Sequence, residues 1–151
     1  MIGWRGLPVV DGVERFVPVC PDRMIGWITS VPISAWTGVH MSDLRWQDFG
    51  EWSEPCVRDL MSHFPGNREG RRMVSRLSDG HGISEHVDEQ PPNWVIRIHV
   101  PLITNPEAAF IVSGVPVHMD VGWSYKVDTR VPHAVDSGGG QRIHFMFDVY
   151  Q

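Results

Sequence analysis

The sequence predicts a mainly β fold: a double-stranded β-helix, the cupin-like form of the jelly roll, with one or two N-terminal helices packed on its outside. From residue 71 onward, short β-rich runs are separated by turn signals at Ser78-Asp79-Gly80, Asn105-Pro106, Gly114-Val115-Pro116, Asp120-Val121-Gly122 and Gly138-Gly139-Gly140. Two of these runs alternate polar with apolar residues, the period of a strand with two unlike faces. Helical periodicity is confined to the chain before residue 65.

The first forty residues mix Gly, Pro and Trp with short β-like runs such as Arg15-Phe16-Val17-Pro18-Val19. A weak helix is expected after Ser42, through Leu44, Trp46 and Phe49. A stronger one follows, with Ser53 as its N-cap, Pro55 in its first turn and Phe64 at its end. Val57, Leu60, Met61 and Phe64 fall at i, i+3, i+4 and i+7, one apolar stripe for a sheet to cover. Pro65-Gly66 stops it. In Trp94-Val95-Ile96-Arg97-Ile98-His99-Val100 the even positions are apolar and Arg97 and His99 share the opposite face. In residues 142–149 the odd positions are apolar, and Arg142, His144, Met146 and Asp148 point the other way. These polar faces are expected to look inward. Residues 1–69 form a helix-containing support and residues 70–151 the β-helix core of a single domain spanning 1–151. Most of the seven tryptophans are expected to pack the helices on the barrel, with one or two at the substrate mouth.

Composition narrows the function. A chain of 151 residues fits one domain, burying roughly two-thirds of its surface. Hydrophobic residues at 42% support a real core. A formal net charge of −5 argues against a nucleic-acid partner. No apolar run reaches the ~18 residues of a membrane span, and the N-terminus lacks the layout of a signal peptide. Cys20 and Cys56 form neither a zinc knuckle nor a disulfide framework. A reducing cytoplasmic location is expected; the oligomeric state is left open.

The chemistry lies in His86-Val87-Asp88, followed by His133 and Arg142. Two imidazoles and one carboxylate, a close pair and a distant third, are the ligand set of a facial-triad Fe(II) site that leaves one side of the metal open. In extended chain, residues i and i+2 share a face, so His86 and Asp88 reach one ion and His133 must arrive from another strand. Arg142, nine residues after His133, suits the distal carboxylate of 2-oxoglutarate, because its planar fork grips a carboxylate with two parallel hydrogen bonds. Taken alone, His86-Val87-Asp88 is a weak signal that reads more readily as a surface histidine in an acidic turn. His40, His63 and His81 read as surface, helix-end or turn residues, and His118 as barrel lining rather than a ligand.

Five segments in order strengthen the reading: residues 75–80, 86–88, 97–102, 132–135 and 142–148. From about Ser75 to Val149 the chain resembles the aspartyl/asparaginyl β-hydroxylase family of Fe(II)/2-oxoglutarate oxygenases. The resemblance implies that His86, Asp88 and His133 are the iron ligands and catalytic centre, and that Arg142 and Ser75 hold the distal carboxylate of 2-oxoglutarate. It also places His99 near the metal-bound end of that cosubstrate. Asp136 stands where relatives often have asparagine, and the glycines after it are expected to make a loose turn. With Gln151 ending the chain, no C-terminal substrate-binding extension is expected.

The implied reaction consumes 2-oxoglutarate and O2, releases succinate and CO2, and hydroxylates a C–H bond of an amino acid, a peptide side chain or a similar small polar substrate. Arg97 is expected either to bind a substrate carboxylate or to form an ion pair with Asp148 or another acid. Two other classes use the same residues: a non-oxidative metal-binding cupin, such as an isomerase or hydrolase, and a catalytically quiet binding module. The first does not need Arg142 at this spacing, and the intact triad argues against the second.

Overall fold

A computed structural model of the chain describes residues 9–32, 36–37, 40–41, 46–78 and 80–151. Two antiparallel sheets face each other. The larger orders its strands β1 (Val9–Val10), β2 (Val13–Pro18), β10 (Trp123–Val127), β7 (Trp94–Ile103), β12 (Arg142–Tyr150), β5 (Arg68–Leu77), β4 (His40–Met41) and β3 (Trp36–Thr37). The smaller orders β6 (Gly82–His86), β11 (His133–Asp136), β8 (Ala109–Val112) and β9 (Val115–Val117). This is the mainly β, double-stranded β-helix architecture that the alternating runs predict. The residues before 68 do more than support it, because β1 to β4 extend the larger sheet at both of its edges.

β12 sits between β7 and β5, so both of its edges are paired, and residues 142–149 are all buried. Its odd positions, Ile143, Phe145, Phe147 and Val149, join Val74, Ile98 and Val100 on the outer face of the sheet. Against them pack Met24, Trp27 and Ile28 of helix α1 (Asp22–Ser30) and Val57 and Leu60 of helix α2 (Trp46–Met61). Full burial of a phenylalanine such as Phe145 or Phe147 contributes about 1.5–3 kcal/mol. A second apolar cluster, including Leu77, Phe110, Val112, Tyr125 and Val135, closes the space between the sheets. Trp94 departs from its expected face. At the register shift opposite Tyr150, its Nε1 donates to Asp148 Oδ1 at 3.1 Å.

The helices differ from their sequence expectation. Helix α1 adds to them, its apolar residues Met24, Trp27 and Ile28 falling at i, i+3 and i+4. The weak and strong helices are one: α2 runs through Ser53 and Pro55 without a break and ends at Met61. Residues 42–45, where the sequence places the start of the weaker one, lie outside the described residues. Ser53 is therefore not an N-cap. It is fully buried mid-helix, donates to the Gly50 carbonyl at 3.2 Å and accepts from Arg72 Nη1 at 2.8 Å. Arg72, on the outer face of β5, also donates to the Gly50 carbonyl and forms ion pairs with Glu54 and Glu69. These bonds staple α2 to the sheet across Pro55, which brings no N–H to the helix ladder. Among the described residues no helix is long and apolar enough to cross a membrane.

Arg72→Met keeps the apolar stem of the side chain and removes its donors. It is expected to cost about 2 kcal/mol and to lower Tm by roughly 4–8 °C in thermal circular dichroism. An unchanged Tm would reduce the Arg72 network to solvated surface charge.

Candidate metal centre

The site begins with strand pairing in the smaller sheet. β6 and β11 are antiparallel with His133 directly opposite His86, and the two imidazole centroids lie 4.3 Å apart. Beyond β6 the chain stays tied to the barrel because the Asp88 N–H donates to the Thr129 carbonyl at 2.8 Å. Asp88 Oδ1 lies 3.4 Å from His86 Nε2. One ligand atom from each of His86, Asp88 and His133 falls within 4.8 Å of the others, the one such cluster among the described residues.

Hydrogen bonds set the tautomer of both histidines. His86 Nδ1 faces the Ser84 carbonyl at 2.8 Å and His133 Nδ1 faces the Val131 carbonyl at 2.7 Å. A carbonyl only accepts, so each Nδ1 carries the proton and each Nε2 keeps its lone pair, the arrangement that metal-binding histidines require. Phe110 stacks on His133 with ring centroids 5.4 Å apart and planes 16° from parallel, which fixes the orientation of that ring. With two nitrogen donors and one carboxylate oxygen, the donor set suits a ferrous ion.

The remaining predicted residues line the same cavity of about 890 Å³: Ser75, Arg97, His99 and Arg142. Arg142 opens β12 on the inner face and is 3% exposed. Its Nη2 meets His144 Nδ1 at 3.0 Å, and among the described residues no acid pairs with it. Burial pulls Arg142 down to about 9. A buried guanidinium without a counter-ion is costly, and a carboxylate supplied from solution offsets that cost.

Arg142 has only donors, so His144 Nδ1 must be the accepting nitrogen. His99 Nδ1 lies 3.1 Å from that same nitrogen, and as a donor it shares the one lone pair that Arg142 uses. Burial first, and then the neighbouring charge of Arg142, holds both imidazoles well below the usual histidine range, so both are neutral. His144 stands beside Arg142 outside the lining of this cavity, and the sequence pairs the two only by shared parity.

Arg97 resolves its two expected roles in favour of the ion pair. Its Nε and Nη2 donate to Asp148 Oδ1 and Oδ2 at 2.8 and 3.0 Å, and its Nη1 donates to Asp88 Oδ2 at 3.1 Å. The fork expected for a substrate carboxylate is closed on the protein's own acid. Sequence reasoning also missed Phe110, which parity alone does not mark, and the Gln90–Thr129 hydrogen bond of 2.8 Å behind Asp88. No described tryptophan lines the cavity. His118 and His81 are exposed and bond locally, to the Ala108 carbonyl and to Ser78.

The turn before Arg142 is tight rather than loose. Ser137 is fully buried, and its hydroxyl is shared between the Ser78 and His81 carbonyls at 2.7 and 2.6 Å. Asp136 Oδ1 accepts from the Gly138 N–H at 2.9 Å, a bond that asparagine would also make. Gly138 has φ +66°, and a Cβ there would meet Glu107 at 2.6 Å. Both its conformation and its neighbour demand glycine.

The family model for aspartyl/asparaginyl beta-hydroxylases matches residues 53–151. Three solved structures resemble the fold. The viral collagen prolyl hydroxylase of Paramecium bursaria Chlorella virus-1 is 12% identical, with TM-score 0.65 over 95% of this chain and 98% of that one. AviO1 from Streptomyces viridochromogenes Tue57 is 14% identical, with TM-score 0.67 over 93% and 90%. A Pseudomonas putida prolyl-4-hydroxylase is 11% identical, with TM-score 0.55 over 93% and 92%. At these identities the likeness is one of fold. No curated protein matches the chain in sequence.

Removing the buried charge by Arg142→Met is expected to stabilise the protein without added ligand by about 1–2 kcal/mol. The charged form carries the cost, so the gain is full below pH 9 and shrinks as pH rises above it. Urea unfolding at pH 7.5 and pH 10 measures both; a destabilised variant at pH 7.5 would mean that the bond to His144 outweighs the burial cost.

Proposed function

Because this chain belongs to the aspartyl/asparaginyl β-hydroxylase family, we propose that it is an Fe(II)- and 2-oxoglutarate-dependent hydroxylase of an amino acid, a peptide side chain or a similar small polar substrate. The observation that carries the proposal is the convergence, in one cavity, of a His-Asp-His cluster with a buried arginine that has no acid partner among the described residues. A non-oxidative cupin has use for the first and none for the second.

In this reading His86 and His133 bind the metal through Nε2 and Asp88 through a carboxylate oxygen. Bound there, Fe(II) with 2-oxoglutarate and O2 supplies the oxidising power that couples decarboxylation of the cosubstrate to C–H hydroxylation. Arg142 grips the distal carboxylate of 2-oxoglutarate in charge-assisted bonds, and Ser75, 5% exposed on neighbouring β5, adds its hydroxyl. Neutral His144 orients the Arg142 fork without competing for the anion. His99 sits toward the metal-bound end of the cosubstrate. Met73 and Met146 line the interior and displace water from it. Substrate enters at the mouth, where the cavity wall carries Arg71, Glu89 and Tyr150. Arg71, whose Nη2 meets the Met73 sulfur at 3.0 Å and no acid among the described residues, joins Arg97 as a candidate for a substrate carboxylate.

Titration calorimetry with Mn(II) as an inert metal separates the parts. His86→Ala or His133→Ala is expected to abolish metal binding in a folded protein. Asp88→Ala is expected to weaken it and to strongly reduce hydroxylation. Arg142→Ala is expected to leave the metal affinity unchanged and to weaken 2-oxoglutarate by about ten- to a hundredfold, the loss of ~1.5–3 kcal/mol of charge-assisted bonding. Arg142→Lys recovers only part, since an ammonium keeps the charge but not the fork. Full metal occupancy in either histidine variant, or unchanged 2-oxoglutarate affinity in Arg142→Ala, would overturn the assignment.

A further inference from the structure

Arg97 holds two carboxylates at once, and it treats them differently. Asp148 receives two parallel bonds, from Nε and Nη2, and Asp88 receives one, from Nη1 to Oδ2. Asp148 is 3% exposed, and its Oδ1 also accepts from Trp94 Nε1. Both strands that carry the pair lie in the middle of the larger sheet, with Asp148 on β12 directly opposite Arg97 on β7. Asp88 sits on the segment after β6 of the smaller sheet, tied at its own N–H to Thr129. The Nη1 contact therefore spans the gap between the sheets and ends on the carboxylate of the metal cluster. It engages Oδ2, while Oδ1 is the oxygen turned toward His86 Nε2 at 3.4 Å.

We propose that Asp148, acting through Arg97, is a positioning residue for Asp88. By engaging Nε and Nη2 it fixes the guanidinium so that Nη1 meets Asp88 Oδ2, which turns Oδ1 toward the metal and keeps the carboxylate bound through one oxygen. This inference rests on His86, Asp88 and His133 forming the metal site. Two physical effects support it. A carboxylate with one oxygen held by a donor is disfavoured from chelating through both, so the open positions of a facial triad stay open. The negative charge of Asp148 cancels that of Arg97, so a divalent ion beside Asp88 meets a neutral pair instead of an unbalanced cation. Without Asp148 the guanidinium would be free to reorient, take Asp88 bidentately and draw it away from the metal.

The test is the Mn(II) dissociation constant of the protein without cosubstrate, with folding followed by circular dichroism. Asp148→Asn is expected to weaken Mn(II) by about ten- to a hundredfold, the range for loss of a partner behind a metal ligand. The double variant Arg97→Gln/Asp148→Asn removes the competing cation, and is expected to bind Mn(II) several-fold more tightly than Asp148→Asn alone. A pair with only a structural role predicts a lowered Tm with Mn(II) affinity within about twofold of wild type in both variants, and that result overturns the inference. If Asp148→Asn does not fold, the double variant and Arg97→Lys carry the test: unchanged Mn(II) affinity in both overturns it. Failure of the wild type itself to bind Mn(II) overturns the metal site and this inference together.

Discussion

The pairing of β6 with β11, which sets His133 opposite His86, is the constraint on which the site depends. Side chains on a strand alternate between faces, so a slip of one residue in this register would turn one imidazole outward and leave no shared point for a metal. That register is over-determined. Phe110 on β8 stacks against His133, the Thr129 carbonyl receives the Asp88 N–H, and the two ring Nδ1 atoms are each fixed on a backbone carbonyl. The mutual geometry of the His-Asp-His cluster thus follows from hydrogen bonds already made within the strands and their flanking turns.

The inner face of the larger sheet shows how buried charge is managed and where it is left open. Arg97 and Asp148 neutralise each other with parallel bonds between adjacent central strands, and Trp94 satisfies a further lone pair. Two residues along the same face, His99 and His144 contribute no charge, because burial keeps both imidazoles neutral. Arg142 alone in this row is charged and without an acid among the described residues. The protein could have paired it, as it paired Arg97. Leaving it unpaired costs stability, a cost that an anion bound from solution would offset.

The outer face of the same sheet answers a different demand. There Ile143, Phe145, Phe147 and Val149 are apolar, and α1 and α2 cover them. Arg72 secures α2 where Pro55 weakens its hydrogen-bond ladder. The central strands are therefore held rigidly from outside while their inner faces line the cavity. A site built on strands buried on both sides keeps its side chains within the narrow tolerances that binding geometry requires.

The sequence by itself determined the faces. Alternation in residues 94–100 and 142–149 is a local property, since successive side chains must point to opposite sides of a strand. It separates Arg97, His99, Arg142, His144 and Asp148 from the apolar residues between them without any knowledge of the fold. The spacing of His86 and Asp88 marks a shared face by the same logic, and the α2 stripe follows from helical periodicity. Tertiary structure decided who meets whom. Ser53 lies inside a helix because Arg72, nineteen residues away, supplies bonds that no local signal announces. The short α1, with Gly26 in its middle and no side-chain cap, owes its helicity to the sheet it covers. The turn at residues 136–140 looks loose by composition and is tight because Ser137 reaches across to Ser78 and His81. Arg97 closed on Asp148 while Arg142 found no acid, although the two arginines look alike in sequence. Which buried cation is satisfied depends on strand order and register, and those are set by contacts between residues far apart in the chain.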